Sequence, residues 1–211
     1  MTPHDFIVIE GNIGAGKTTL ATKLSQEWNT HLILEEFSDN PFLPSFYENP
    51  EKYAFTLEMS FLAERFNQLK NMINQNDLFN RKIISDYFID KCTIFAKNNL
   101  AEDEYTLFLK LFKIIRPNIR RPDLILYLHN PVEKLLENIR KRGRPYEAKI
   151  TPEYLKSIEE KYFDFFYKNL DLSILIADMQ HFDFVQNEQH YRSVKNLLGQ
   201  KFPKGITHIT L

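Results

Sequence analysis

Phe6-Ile7-Val8-Ile9-Glu10-Gly11-Asn12-Ile13-Gly14-Ala15-Gly16-Lys17-Thr18-Thr19 is the stretch from which the fold can be read. Its opening is an apolar run of strand length, and the residues after Gly16 carry helical spacing. Between them, Gly11 to Thr18 satisfies G-x-x-x-x-G-K-[ST] at every fixed position. Glycines let such a turn curl until successive N–H groups face one anion, and the helix start adds positive potential. Lys17 then reaches the β and γ oxygens, and the Thr18 hydroxyl is placed to ligate Mg²⁺. These residues, Gly11, Asn12, Ile13, Gly14, Ala15, Gly16, Lys17, Thr18 and Thr19, predict a nucleoside triphosphate site. The motif alone does not separate a kinase from a switch GTPase, an ATPase or an assembly protein.

Outward from this loop, short apolar runs alternate with longer amphipathic segments, the mark of βαβ units around a parallel sheet. Strands are predicted at Phe6 to Glu10, His31 to Glu35, Lys82 to Asp86, Asp123 to Leu128 and Leu172 to Ala177. Helices are predicted at Lys17 to Glu27, Pro50 to Gln75, Tyr105 to Ile115, Val132 to Lys141 and from Thr151 to about Leu170. In the long second helix, Phe55, Met59, Leu62, Phe66 and Leu69 recur at three and four residues. Phe37 to Asn49 is the longest irregular connection, a length that often carries function.

The 211 residues suit one α/β domain, 1–211, and 43% hydrophobic residues demand a buried core. A net charge of -1 gives no basic field for a polymeric nucleic acid. No apolar run is long enough for a membrane span, and the N-terminus lacks the pattern of a signal peptide. The single cysteine, Cys92, has no partner for an intrachain disulfide, so a cytoplasmic location is expected. The six histidines form no ligand-spaced set for zinc.

Glu35 and Glu36 end the second predicted strand, where the ligand crevice of an open parallel sheet lies, and a carboxylate there can take a proton from an acceptor hydroxyl. Further on come Tyr47-Glu48-Asn49-Pro50-Glu51-Lys52-Tyr53-Ala54-Phe55, then Arg65, then Lys141-Arg142-Gly143-Arg144-Pro145-Tyr146-Glu147. In this order and spacing the chain resembles the deoxynucleoside kinase family, from Phe6 to about Tyr162.

The resemblance implies transfer of the γ-phosphoryl group of ATP to a nucleoside 5′-hydroxyl, in a three-layer fold with a five-stranded parallel sheet of order 2-3-1-4-5. Glu36 takes the place of the family's general base, with Glu35 beside it as the second choice. Tyr47 and Glu147 resemble the pair that holds the sugar 3′-hydroxyl, and Arg65 the arginine that reaches the base. Arg140, Arg142 and Arg144 would form a lid, near 138–150, over the transferring phosphoryl group. Asp86 takes the place of an acidic residue near Mg²⁺, and Asp178 to Phe184 that of a loop against the ATP base. A homodimer is also implied.

The chain departs from the family at Phe37, where Pro is usual, at Glu58, where Gln is common, and at three further positions. Tyr87 and Phe88 stand where Arg and Ser are usual, so a lid arginine or Lys91 must replace the missing guanidinium, and Cys92 stands where a base-contacting Asp is expected. Base recognition therefore falls to Glu58 and Arg65, two helical turns apart on one face. An ionised Glu58 accepts but does not donate, which suits guanine with its N1–H and 2-amino group. Deoxyguanosine is the expected first substrate and deoxyadenosine the second, unless Glu58 merely forms an ion pair with Arg65. A nucleoside monophosphate kinase and a non-catalytic or switch nucleotide-binding module are the rival readings.

Overall fold

A computed structural model describes residues 2–35, 40–76 and 82–210, with backbone alone over 72–76. Strand β1, Phe6–Gly11, is buried along its whole length and runs through the phosphate loop into helix α1, Lys17–Trp28. Strand β2, His31–Ile33, precedes helices α2, Phe42–Glu48, and α3, Pro50–Asn76. Strand β3, Ile83–Ser85, leads to α4, Lys91–Asn99, and α5, Glu102–Ile115. Then come β4, Leu124–His129; α6, Val132–Arg142; α7, Pro152–Lys168; β5, Ser173–Asp178; α8, Glu188–Leu198; and β6, Gly205–Thr210.

The described strands form one parallel sheet of order β2-β3-β1-β4-β5-β6. Helices cover both faces, which is why the inner strands read as continuous apolar runs. Alternation along β1 divides two cores. Phe6 and Val8 pack with Leu62, Phe88, Phe108 and Tyr162 on one face. Ile7 and Ile9 pack with Leu20, Leu24, Leu135 and Val194 on the other.

The expected order is met from β2 to β5, but the sheet has six strands rather than five. The sixth, Gly205-Ile206-Thr207-His208-Ile209-Thr210, pairs with β5 over six residues. It is an edge strand whose His and Thr leave it half exposed, so it lacks the apolar run that marks the inner strands. The stretch read as irregular contains α2, which starts where the Asn40 side chain accepts the Phe42 N–H at 3.0 Å. Helices α4 and α8 were also not anticipated.

The candidate active site

A cavity of about 740 Å³ opens at the C-terminal ends of the strands, with the phosphate loop as its floor. Ile13 to Thr19 line it directly. Gly14 has φ of 82°, and a Cβ there would lie 2.7 Å from the Leu135 carbonyl oxygen, so only glycine lets the loop pass under α6. Asn12 anchors the loop from below: its Nδ2 donates to the Leu155 carbonyl at 2.7 Å and its Oδ1 accepts the Ile13 N–H. Lys17 Nζ donates to the carbonyls of Gly11 and Asn12 at 3.0 and 2.9 Å. Burial, helped by the nearby Lys91 charge, lowers its pKa to about 8. The Thr18 hydroxyl donates to Asp86 Oδ2, which brings two hard oxygen donors together at the loop's mouth.

A second wall of the cavity stands on the β2–β3 side. Glu35 follows β2, and its backbone N–H donates to Asp86 Oδ1 at 2.8 Å. Its Oε1 accepts from Arg65 Nε and Nη2 at 2.7 and 2.5 Å, and its Oε2 from Lys91 Nζ at 2.6 Å. Burial alone would push this carboxyl up, yet Arg65 and Lys91 outweigh it and hold the pKa at about 2. Glu36 lies outside the described residues, as do three residues of the irregular connection, Phe37, Ser38 and Asp39.

The Glu58 side chain is buried on α3, with Phe61 and Arg65 following at helical spacing along the cavity. Asn99 Nδ2 donates to Glu58 Oε1 at 2.7 Å, whereas Oε2 is buried and has no hydrogen-bond partner among the described residues. Burial raises the Glu58 pKa to about 7 against the pull of Arg65 and Asn99. Arg65 gives its hydrogen bonds to Glu35 and, at 3.1 Å, to Cys92 Sγ. The simple Arg65–Glu58 ion pair is thus not how this helix face is wired.

Tyr47 and Glu147, 100 residues apart in the chain, both line the cavity. The Tyr47 ring stacks on Tyr146 at 6.1 Å, beside Glu147. The buried Glu147 accepts from Arg142 Nε and Nη2 at 3.0 and 2.5 Å and from Arg144 Nη1 at 3.4 Å. Arg140 is turned away. Two residues from Arg142 on α6, it points to the opposite side of the helix, is exposed, and donates to the Leu136 carbonyl.

On the β4–β5 side, Lys134 Nζ donates to the carbonyls of Met179 and Phe182 at 2.7 and 2.8 Å, and Asn138 Nδ2 to that of Gly14 at 2.9 Å. Met179 and Phe182 to Gln186 complete this wall; Asp178 itself ends β5 outside the lining. Lys134, Asn138 and Lys141 were not foreseen. Their spacing of four and seven residues puts them on one face of α6, a signal that the sequence does carry. Asn99 and Tyr154 had no such signal, because they meet Glu58 only through the crossing of three helices.

The sequence pattern of the family described as Deoxynucleoside kinase matches residues 7–203. The chain belongs to the deoxynucleoside kinase family. Members of the family are ATP-dependent phosphotransferases. The deoxyguanosine kinase of Bacillus subtilis is 37% identical over 199 residues, which cover 92% of this chain and 96% of that protein. The deoxyadenosine kinase of Dictyostelium discoideum is 36% identical over 194 residues, 90% of this chain and 77% of the other. The structure of the M. mycoides deoxyadenosine kinase with bound dATP superposes with a TM-score of 0.78 at 25% identity, over 92% of this chain and 99% of that one.

Proposed function

We propose that this kinase phosphorylates the 5′-hydroxyl of purine deoxynucleosides in nucleotide salvage, deoxyguanosine first and deoxyadenosine second. The observation that carries this reading is Glu58, a buried carboxyl in the cavity wall whose Oε2 has no hydrogen-bond partner among the described residues. Ionised, it suits the two adjacent donors of guanine; protonated, it suits the acceptor and donor of adenine. A pKa of about 7 supports keeping deoxyadenosine as the second substrate.

In this reading Glu35 is the group that receives the 5′-hydroxyl proton. It stands at the crevice beside Asp86, which links it to the phosphate loop, and is fixed by Arg65 and Lys91. A carboxylate held at about pKa 2 is a weak base, so it orients the hydroxyl first and takes the proton late, as the phosphoryl group arrives. Lys91 replaces the missing family arginine as the cation at this position. Tyr47 and Glu147 hold the 3′-hydroxyl, and Lys17, Arg142 and Arg144 meet the phosphates, with 138–150 acting as lid to a single catalytic domain, 1–211.

Thr18 and Asp86 fit Mg²⁺, because two neighbouring oxygens leave most positions to phosphate and water, as that ion prefers. The ion would supply charge neutralisation at the phosphates. Homodimer formation belongs to the same proposal and is supported by apolar side chains exposed on helices, Leu107, Ile114 and Tyr167. So does a cytoplasmic location. The free, buried Cys92 is compatible with it, and among the described residues no helix is long and apolar enough to cross a membrane. Incubation with ATP, Mg²⁺ and each deoxynucleoside, followed by chromatography, is expected to give dGMP fastest. A pyrimidine monophosphate as the main product would overturn the purine assignment.

A further inference from the structure

Asn99 closes α4 with its amide held at both ends. Its Nδ2 donates to Glu58 Oε1 at 2.7 Å, while its Oδ1 accepts from the Tyr154 hydroxyl at 3.2 Å and from Asn98 Nδ2 at 3.0 Å. With two donors on its oxygen, the amide is locked with its N–H toward Glu58. Arg65 and Lys91 are both engaged by Glu35, so among the described residues Asn99 alone hydrogen-bonds the Glu58 carboxyl.

We propose that Asn99, locked by Tyr154, is a positioning residue for base selection: it holds Glu58 as an acceptor, leaves Oε2 to the purine, and so favours guanine over adenine. This rests on the purine reading above. An N–H donated to a carboxylate stabilises its charged form, whereas burial and the Glu35 charge oppose it. The groups facing Glu58 are Arg65 on its own helix, Lys91 and Cys92 from α4, Glu35 after β2 and Tyr154 from α7. Arg65 and Lys91 also favour the carboxylate, but through space. Without the Asn99 donor, Glu58 holds its proton to higher pH. A protonated Glu58 offers one donor and one acceptor, the complement of adenine N1 and its 6-amino group.

The test is the ratio of kcat/KM for deoxyguanosine to that for deoxyadenosine, measured from pH 5.5 to 9 in the full-length protein. The wild-type ratio should rise with pH, and Glu58→Gln should flatten the profile. Asn99→Leu is expected to lower the ratio about tenfold at neutral pH and to move its midpoint up by roughly one pH unit. Tyr154→Phe removes one hydroxyl only; it should move the midpoint the same way by less, and it carries the test if Asn99→Leu fails to fold. Midpoints unmoved in the variants that fold would overturn the role of Asn99. A wild type with no turnover of deoxyguanosine would overturn the purine reading instead.

Discussion

At the scale of single residues, the acceptor carboxylate is the most exposed to test. The two adjacent glutamates were legible in the sequence as a strand end, but not which of them faces the crevice. Both glutamates lie beyond the short β2, which stops at Ile33, so the alternation of a strand does not choose between them. With Glu35 as the proton acceptor, Glu35→Gln should lower kcat by about 10² or more, while Glu36→Gln should stay within roughly fivefold of wild type. Steady-state kinetics of both variants decides between them, and the reverse result would make Glu36 the proton acceptor. The sugar site gives an independent measurement. Tyr47→Phe and Glu147→Gln should each raise KM for a 2′-deoxynucleoside far more than for its 2′,3′-dideoxy analogue, which lacks the 3′-hydroxyl. Equal effects on both would remove the pair from that role.

At the scale of elements, the sequence was most readable where one physical signal dominates. The strand, glycine turn and lysine of the phosphate loop announce themselves, and the periodicity of α3 placed Glu58 and Arg65 on one face. It was least readable where an element is half exposed or short, as in β6 and α2, or where the contact is tertiary. Arg140 shows that limit: the basic run looks uniform, but the helix turns Arg140 outward and Arg142 toward Glu147, which Arg144 reaches from beyond the helix end. The packing of the loop under α6 yields a prediction at this scale. Gly14→Ala adds a methyl group 2.7 Å from the Leu135 carbonyl at a left-handed φ. It should cost on the order of 1–3 kcal/mol of stability, read by thermal unfolding, and weaken ATP binding at least tenfold, because the loop and α6 must part. A variant with unchanged Tm and ATP affinity would show that the contact is not tight.

At the scale of the whole molecule, the proposed reading sets most acceptor residues after β2 and β3, with Glu147 reaching them from beyond α6, and builds the donor side from the phosphate loop after β1 and the segments after β4 and β5. The acceptor side also gathers buried charge, with consequences for stability against pH. Glu58, raised from 4.5 to about 7, contributes stability that is fully present below pH 4.5 and lost as pH rises through 7. Glu35, lowered to about 2, contributes in the opposite sense, with stability present above pH 4.5 and lost as pH falls through 2. Glu58→Gln should therefore raise Tm relative to wild type at pH 8, by roughly 3–10 °C, and by much less at pH 5. An equal gain at both pH values would mean that Glu58 is not held protonated by its surroundings. The ion pairs of Glu147 with Arg142 and Arg144 bear on what the enzyme does when no nucleoside is present. In the proposed reading, the charges that face the γ-phosphoryl group are paired with the carboxylate that receives the sugar. Water has no 3′-hydroxyl to offer Tyr47 and Glu147, so in this reading the binding energy that a nucleoside supplies there is missing. Idle hydrolysis of ATP should run on the order of a hundredfold slower than nucleoside-dependent turnover, and the gap should narrow in Glu147→Gln, where the tether between accounting for the acceptor and activating the donor is cut.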